Sequence, residues 1–222
     1  MSMAVEMLAF LMCVGGSVLA GVALANDYWR VSSYSGSVIT SSRQYQNLWH
    51  ACAEASTGIK NCKEFESMLA LDGYVQACRA LMIIALLLGL FSILLSALGL
   101  KCTKLGSMSD LAKGRLTLTA GVLFILSGVC VLTAVSWYAA RIVQEFNDPF
   151  YVGTKFELGT GLYLGWAAAV LVILGGAMLC GSFRRASSQT NSGAYSYNYS
   201  GQGQKIYKAA PTADSGSSKA YV

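Results

Sequence analysis

Of the 222 residues 55% are hydrophobic and only 12% are charged, with a formal net charge of +5. The apolar residues are clumped, which argues against one large soluble domain. The basic surplus sits beside the ends of the apolar runs, where membrane orientation accounts for it, so it gives no reason to expect nucleic acid as a partner.

Four stretches reach the roughly 20 residues a helix needs to cross a hydrocarbon core. They run over about 5–25, 80–100, 116–139 and 158–183. Charges are missing from their centres, and Glu6, Arg79 and Glu157 lie near their ends. In lipid the backbone has to satisfy its own hydrogen bonds, so each stretch is expected to be a helix. Neither Pro149 nor Pro211 interrupts one. The expected fold is an all-α transmembrane four-helix bundle with a small antiparallel extracellular β-sheet over 1–183, then a tail over 184–222.

The first span ends in Ala23-Leu24-Ala25, an A-x-A pattern like that of a cleaved signal peptide. Glu6, the lack of Lys or Arg ahead of the run, and the run's length favour a retained span. The first outer loop, about 26–79, opens with Tyr28, Val31, Tyr34, Val38 and Ile39 alternating among Ser and Thr, the pattern of a half-exposed strand. Gly36 and Gly58 are candidate turns. Amphipathic Trp29, Trp49 and Arg79 suit an anchor at the outer headgroup level. His50 is the only histidine and has no second ligand of its type nearby, so it reads as a plain strand residue and no metal site is expected.

The seven cysteines divide by compartment. Cys13 and Cys130 lie within spans, Cys78 opens span two, and Cys102 and Cys180 lie at cytoplasmic helix ends as palmitoylation candidates. That leaves Cys52 and Cys62 as a disulfide pair in the outer loop. Such a bridge would stabilise by about 2–3 kcal/mol in the chain-entropy model.

Between spans two and three Lys101, Lys104, Lys113 and Arg115 face only Asp110, and Arg184 and Arg185 follow span four. The positive-inside bias therefore puts this loop, the tail and both termini in the cytoplasm. The second outer loop, about 140–157, has Phe146, Phe150 and Tyr151 around Asp148-Pro149, which predicts a tight, aromatic-tipped turn. Span four carries Gly161 and Gly165 as GxxxG and then Gly175-Gly176, suited to close helix packing, most often within the bundle. From about Ala186 the composition is polar and aperiodic, predicting disorder. The sequon Asn198-Tyr199-Ser200 falls on the side where glycans are not added. There is no His pair, no nucleophile with a base at motif spacing and no phosphate loop, so neither an enzyme nor a cofactor is expected.

Trp29, then Asn47-Leu48-Trp49, then Cys52 and Cys62, then Arg79 at the start of span two together resemble the first-loop signature of the claudin family. The resemblance extends through 26–31, 67–82, 145–159 and the terminal Lys219-Ala220-Tyr221-Val222, and covers nearly the whole chain. It implies a plasma-membrane protein of the tight junction that polymerises with itself and other claudins, in cis and in trans, with the lipid bilayer as its setting. The likeness is to the pore-forming members, whose permeants are inorganic ions. Glu64 matches an acidic pore position, while Ala55 occupies the other main acidic one. Glu54 and Glu64 lean toward cation preference, with Lys60 and Lys63 opposing. Phe146, Pro149 and Glu157 match positions linked to contacts across the cell gap. Asn147 stands where several barrier members have Tyr, which implies either weaker adhesion between cells than in those members or contacts made by Phe150 and Tyr151 instead. Ala220-Tyr221-Val222 with its free carboxylate suits a PDZ domain of a junction scaffold. A sealing claudin is the first alternative, and an auxiliary subunit of a membrane channel, which shares the four-span fold, the second.

Overall fold

In the computed structural model the described residues are 3–33, 42–65, 71–99, 110–148, 150 and 154–203, excepting the side chains of 3, 42, 110, 111 and 183–203. Among the described residues are four helices, α1 (Met3–Ala25), α2 (Gly73–Gly99), α3 (Asp110–Asn147) and α4 (Thr160–Gly203), and five strands, four between α1 and α2 and one between α3 and α4. The strands are β1 (Arg30–Ser32), β2 (Ser42–Gln46), β3 (His50–Ala55), β4 (Lys60–Glu64) and β5 (Phe156–Leu158). Each helix contains a segment long and apolar enough to cross a membrane.

Small residues lie at many of the helix contacts, beside buried large ones such as Phe124, Met82 and Leu179, while many large apolar side chains face outward. Ala9, Ala20, Ala85, Ala134, Ala168 and Ala169 are buried, whereas Leu11, Val18, Leu87, Leu90, Phe91, Leu94, Val170 and Leu174 are exposed. A water-soluble bundle would reverse this. In lipid, tails solvate Leu and Val as well as a core does, so helices associate through close van der Waals approach, which small residues permit. A Cβ built on Gly16 or Gly175 would meet the opposite helix of the α1–α4 pair, at Val172 and Cys13 respectively. One on Gly128, Gly165 or Gly176 would do the same between α3 and α4. Gly161 and Gly165 therefore serve packing within the bundle, against Trp29 and Val135. Polar atoms bridge the helices: Ser127 Oγ donates to the Ala85 carbonyl at 2.7 Å and Thr117 Oγ1 to the Gly99 carbonyl at 3.1 Å. Cys78 Sγ faces the Ala134 carbonyl at 3.3 Å.

Three expected boundaries move. α2 begins at Gly73 rather than near 80, because Val75 and Cys78 already pack inward. α3 continues to Asn147 rather than ending near 139, since Ala139 and Ile142 keep a buried stripe going beyond the apolar span. The second outer loop is correspondingly shorter. α4 continues to Gly203, so 186–203, expected to be irregular, is helical. Residues 204–222 lie outside the described residues.

All five strands form one antiparallel sheet in the order β4-β3-β2-β1-β5. The expected alternating strand is only partly seen: Val31 lies in β1, and Tyr34, Gly36, Val38 and Ile39 lie outside the described residues. β5 comes from the second loop and closes the sheet beside β1, with Arg30 opposite Leu158 and Ser32 opposite Phe156.

On the β1 side the sheet is fastened to the bundle at two places. At the N-terminal end of α4, Gly159 N–H donates to the Trp29 carbonyl at 2.9 Å and Gly161 N–H to the Tyr28 carbonyl at 2.8 Å. Any Cβ on Gly159 would collide with the Tyr28 carbonyl, which is why glycine stands there. Trp29 itself is 0% exposed, its Nε1–H donating to the Ala23 carbonyl at 2.8 Å and its ring edge meeting Tyr138. This corrects the expectation of Trp29 as a headgroup anchor. It is a core residue, because its indole N–H finds a partner at the end of α1 instead of water. The second fastening is Arg30, which reaches Glu145 of α3 at 3.2 Å, donates to Gln46 Oε1, and lies 4.5 Å from the centre of the Phe156 ring.

Gly176→Ala should lower thermal stability in detergent or nanodiscs, because its Cβ would fall 2.8 Å from the Gly121 carbonyl oxygen. Overpacking of this kind costs about 1–3 kcal/mol. Gly15→Ala, whose Cβ meets nothing within 4 Å, should match wild type; equal losses would refute the close-packed interface. A double-mutant cycle of Arg30→Ala and Glu145→Ala should show a coupling of about 1 kcal/mol or more. Simple additivity would mean the pair does not fasten the sheet.

Candidate functional site

Side chains alternate across a strand, so the register sorts the outer-loop residues onto two faces. Cys52 lies opposite Cys62, Glu54 opposite Lys60, and His50 opposite Glu64. These six therefore share one face, joined by Arg43 and Tyr45, which pair with Glu54 and Cys52. Ala51, Ala53, Ala55, Asn61 and Lys63 point to the other face with Gln44 and Gln46. There an open groove of about 250 Å³ is lined by Gln44, Gln46, Ala51, Ala53, Asn61, Lys63 and Phe156 among others. The expected selectivity residues are thus not brought together. Glu54, Lys60 and Glu64 are on the disulfide face; Ala55 and Lys63 are on the groove face.

The disulfide joins Cys52 and Cys62, pinning β3 to β4. The hairpin beyond it turns at Gly58, whose φ of +80° favours glycine. Gly58 N–H closes the turn on the Ala55 carbonyl at 2.9 Å. Glu64, Lys60 and Lys63 are exposed, and Glu54 and Ala55 half-buried. Tyr45 is buried between β1 and β3, and that burial raises its phenol above the ordinary value.

Between β2 and β3 the segment Asn47-Leu48-Trp49 makes the sharp connection. Asn47 is buried; its Oδ1 accepts the N–H groups of Trp49 and His50 at 2.7 and 2.8 Å, an Asx turn. Its Nδ2 donates to Asp27 at 3.1 Å, tying the turn to the chain leaving α1. Leu48 is buried, and its carbonyl accepts from Arg79 Nε at 2.5 Å. The Arg79 guanidinium lies over the half-exposed Trp49 ring at 4.9 Å and near Phe65 at 5.6 Å. These four residues thus act as one joint between the sheet and α2.

His50 Nε2 lies 3.1 Å from Asp27 Oδ1. The histidine also lies within 4.8 Å of both disulfide sulfurs, but a disulfide offers no thiolate, so the group makes no metal centre.

In the second loop, Lys155 Nζ donates to the Phe146 carbonyl at 3.1 Å and sits 5.2 Å from the Phe146 ring centre, closing the C-terminal end of α3. Asn147 is exposed at the end of that helix. Phe150 is 88% exposed, its N–H held by Asp148 Oδ1. Glu157 lies in β5 opposite Val31 and accepts from Ser33 Oγ at 2.7 Å. Pro149, Tyr151, Cys102 and Ala220-Tyr221-Val222 lie outside the described residues. Cys180 is half-buried and turned toward α3, 3.9 Å from the Leu118 carbonyl.

Sequence reasoning missed Asp27, Arg30, Gln46 and Glu145, all of which hold the sheet. Their partners are distant in sequence, and only the resemblance over 26–31 and 145–159 took in Asp27, Arg30 and Glu145.

The model of the PMP-22/EMP/MP20/Claudin family matches residues 3–179. Mouse Claudin-15 is 52% identical over 176 residues, covering 79% of this chain and 78% of that protein. Human Claudin-10 is 49% identical over 197 residues, 89% and 85% of the two chains. Human Claudin-19 is 46% identical over 177 residues, 79% of each. With four helices and a sheet in the family's arrangement, the chain belongs to the PMP-22/EMP/MP20/Claudin family and is a membrane protein of claudin type, not an enzyme.

Proposed function

We infer that this chain polymerises into tight-junction strands, by contacts with itself and other claudins, and forms a paracellular ion pore with a preference for cations. The observation that carries the preference is the exposed Glu64 at the end of β4, on the same face as Glu54 and anchored by the disulfide two residues away. A carboxylate fixed on a paired, cross-linked strand loses little entropy when an ion arrives, and it selects by charge and field strength. The ion is not bound tightly, so it can leave.

A sealing role is favoured by one arrangement. Lys60 lies directly across from Glu54 and offsets its charge, which makes that hairpin face less acidic than a strongly cation-selective filter would be. On this second reading the protein mainly lowers permeability.

Both termini lie in the cytoplasm on this reading, and Phe150, the most exposed aromatic side chain of the described second loop, is the best placed for contact across the cell gap. Ala220-Tyr221-Val222 would add as a strand to a PDZ domain of a junction scaffold, with its carboxylate held by backbone amides.

In a low-background epithelial monolayer, a NaCl dilution potential should show sodium preference, and Glu64→Gln should reduce it severalfold without moving the protein from cell contacts. Chloride preference would place selection at Lys60 and Lys63. Raised resistance with no preference would establish the sealing role. Deleting the last three residues should abolish binding to PDZ domains in a pull-down while leaving the sheet and its disulfide intact; unchanged binding would remove those partners.

A further inference from the structure

On the disulfide face the charges fall into rows that run across the strands. The register sets Arg43 of β2 opposite Glu54 of β3, and Glu54 opposite Lys60 of β4. Directly opposed residues of an antiparallel pair hold their Cβ atoms about 5 Å apart on one face, so this row carries a carboxylate between two cations. Arg43 and Lys60 are exposed, whereas Glu54 is half-buried. An ion passing over the face meets the cations ahead of the recessed carboxylate. The next row, Tyr45, Cys52 and Cys62, separates this one from Glu64, which lies opposite His50 near the joint with α2.

Aromatic contacts keep the Arg43 charge over this face. Its guanidinium lies 5.9 Å from the centre of the Tyr28 ring, and Tyr28 packs on Tyr45 with ring centres 4.8 Å apart. Without Arg43, Lys60 and Glu54 would offset each other and leave the row neutral. With it, the row is net positive. Glu54 and His50 are four positions apart on β3, about 13 Å at the rise of a strand, so the Arg43 row and the Glu64 row are separated by about that distance. At physiological salt this exceeds the screening length of about 8 Å, so a passing ion feels the two rows in turn.

We propose that Arg43 is a specificity-determining residue of the pore. It makes the row at the hairpin tip a step that favours anions, in series with the step at Glu64 that favours cations, and so holds the sodium preference below what Glu64 alone would set. This rests on the ion-pore reading but not on the sign of the pore's preference. Lys60 cannot do the same by itself, because Glu54 faces it.

The test is a NaCl dilution potential in low-background monolayers expressing wild type, Arg43→Gln, Arg43→Lys, Glu54→Gln, or the double variant carrying Arg43→Gln and Glu54→Gln, with delivery to cell contacts checked by imaging. Arg43→Gln should raise the sodium-to-chloride permeability ratio about twofold, the size expected for one screened charge acting oppositely on the two ions. Arg43→Lys keeps the charge and should match wild type. Glu54→Gln should lower the ratio by a similar factor, and the double variant, which restores the row's net charge, should return close to wild type. Damage to the sheet would not cancel in this way. An unchanged ratio in Arg43→Gln, an Arg43→Lys protein that behaves like Arg43→Gln, or a double variant far from wild type overturns the proposal and leaves the pore reading standing. Chloride preference in wild type that shifts toward sodium in Arg43→Gln overturns the cation preference and upholds the role of Arg43. Raised resistance without ion preference in all five proteins overturns the pore reading and this proposal with it.

Discussion

The seating of the β1 approach on the start of α4 is the constraint on which the rest of the extracellular structure depends. Trp29 is sunk into the top of the bundle with its N–H bonded to the end of α1, while the carbonyls of Tyr28 and Trp29 take the N–H groups of Gly161 and Gly159. A helix start leaves N–H groups without partners, and here the chain about to become β1 satisfies two of them. Burying so large a ring is worth several kcal/mol, about 3–5 on truncation to alanine. The direction of β1 is thereby fixed, and β2, β3 and β4 follow from it by pairing. β5 is fixed from its other side, one residue before Gly159. A sheet mounted on the ends of four helices holds its side chains at set positions where a free loop could not.

The same requirement explains the packing beneath. Small residues bring the helices close and bridging hydroxyls such as Ser127 add direction, while many of the large apolar side chains face outward. Arg30 then acts as a strut between sheet and α3. The charged hairpin around Cys52 and Cys62 contributes little to this frame, so its surface charges can vary at little cost to the fold. Glu64, Lys60 and Lys63 are accordingly exposed.

The four spans, the disulfide and the turn at Gly58 were legible in the sequence because each has a local cause: run length, compartment, and a backbone angle glycine tolerates. The claudin signature added the first-loop frame. The sheet's closure by β5 was not legible. Three residues between an aromatic turn and a helix have no period, and their partner lies about 125 positions away in β1. The two faces of the candidate filter were hidden for the same reason, since adjacent Lys63 and Glu64 look equivalent until the pairing with β3 sends them in opposite directions. Trp29 was misplaced because composition cannot tell an indole whose N–H meets water from one whose N–H meets a helix end. The extensions of α2 and α3 escaped because a hydropathy boundary marks where lipid ends, not where the helix does.

The most direct test of the account is amide hydrogen exchange on the protein in nanodiscs, read at residues 28–31 and 156–161. A sheet mounted as described predicts that the amides of Trp29, Gly159 and Gly161 exchange as slowly as those of the neighbouring helices, opening only with the bundle. Fast exchange at these three positions, beside well-protected helices, would show the sheet to be loosely tethered and would contradict the claim that the bundle sets the geometry of the sheet.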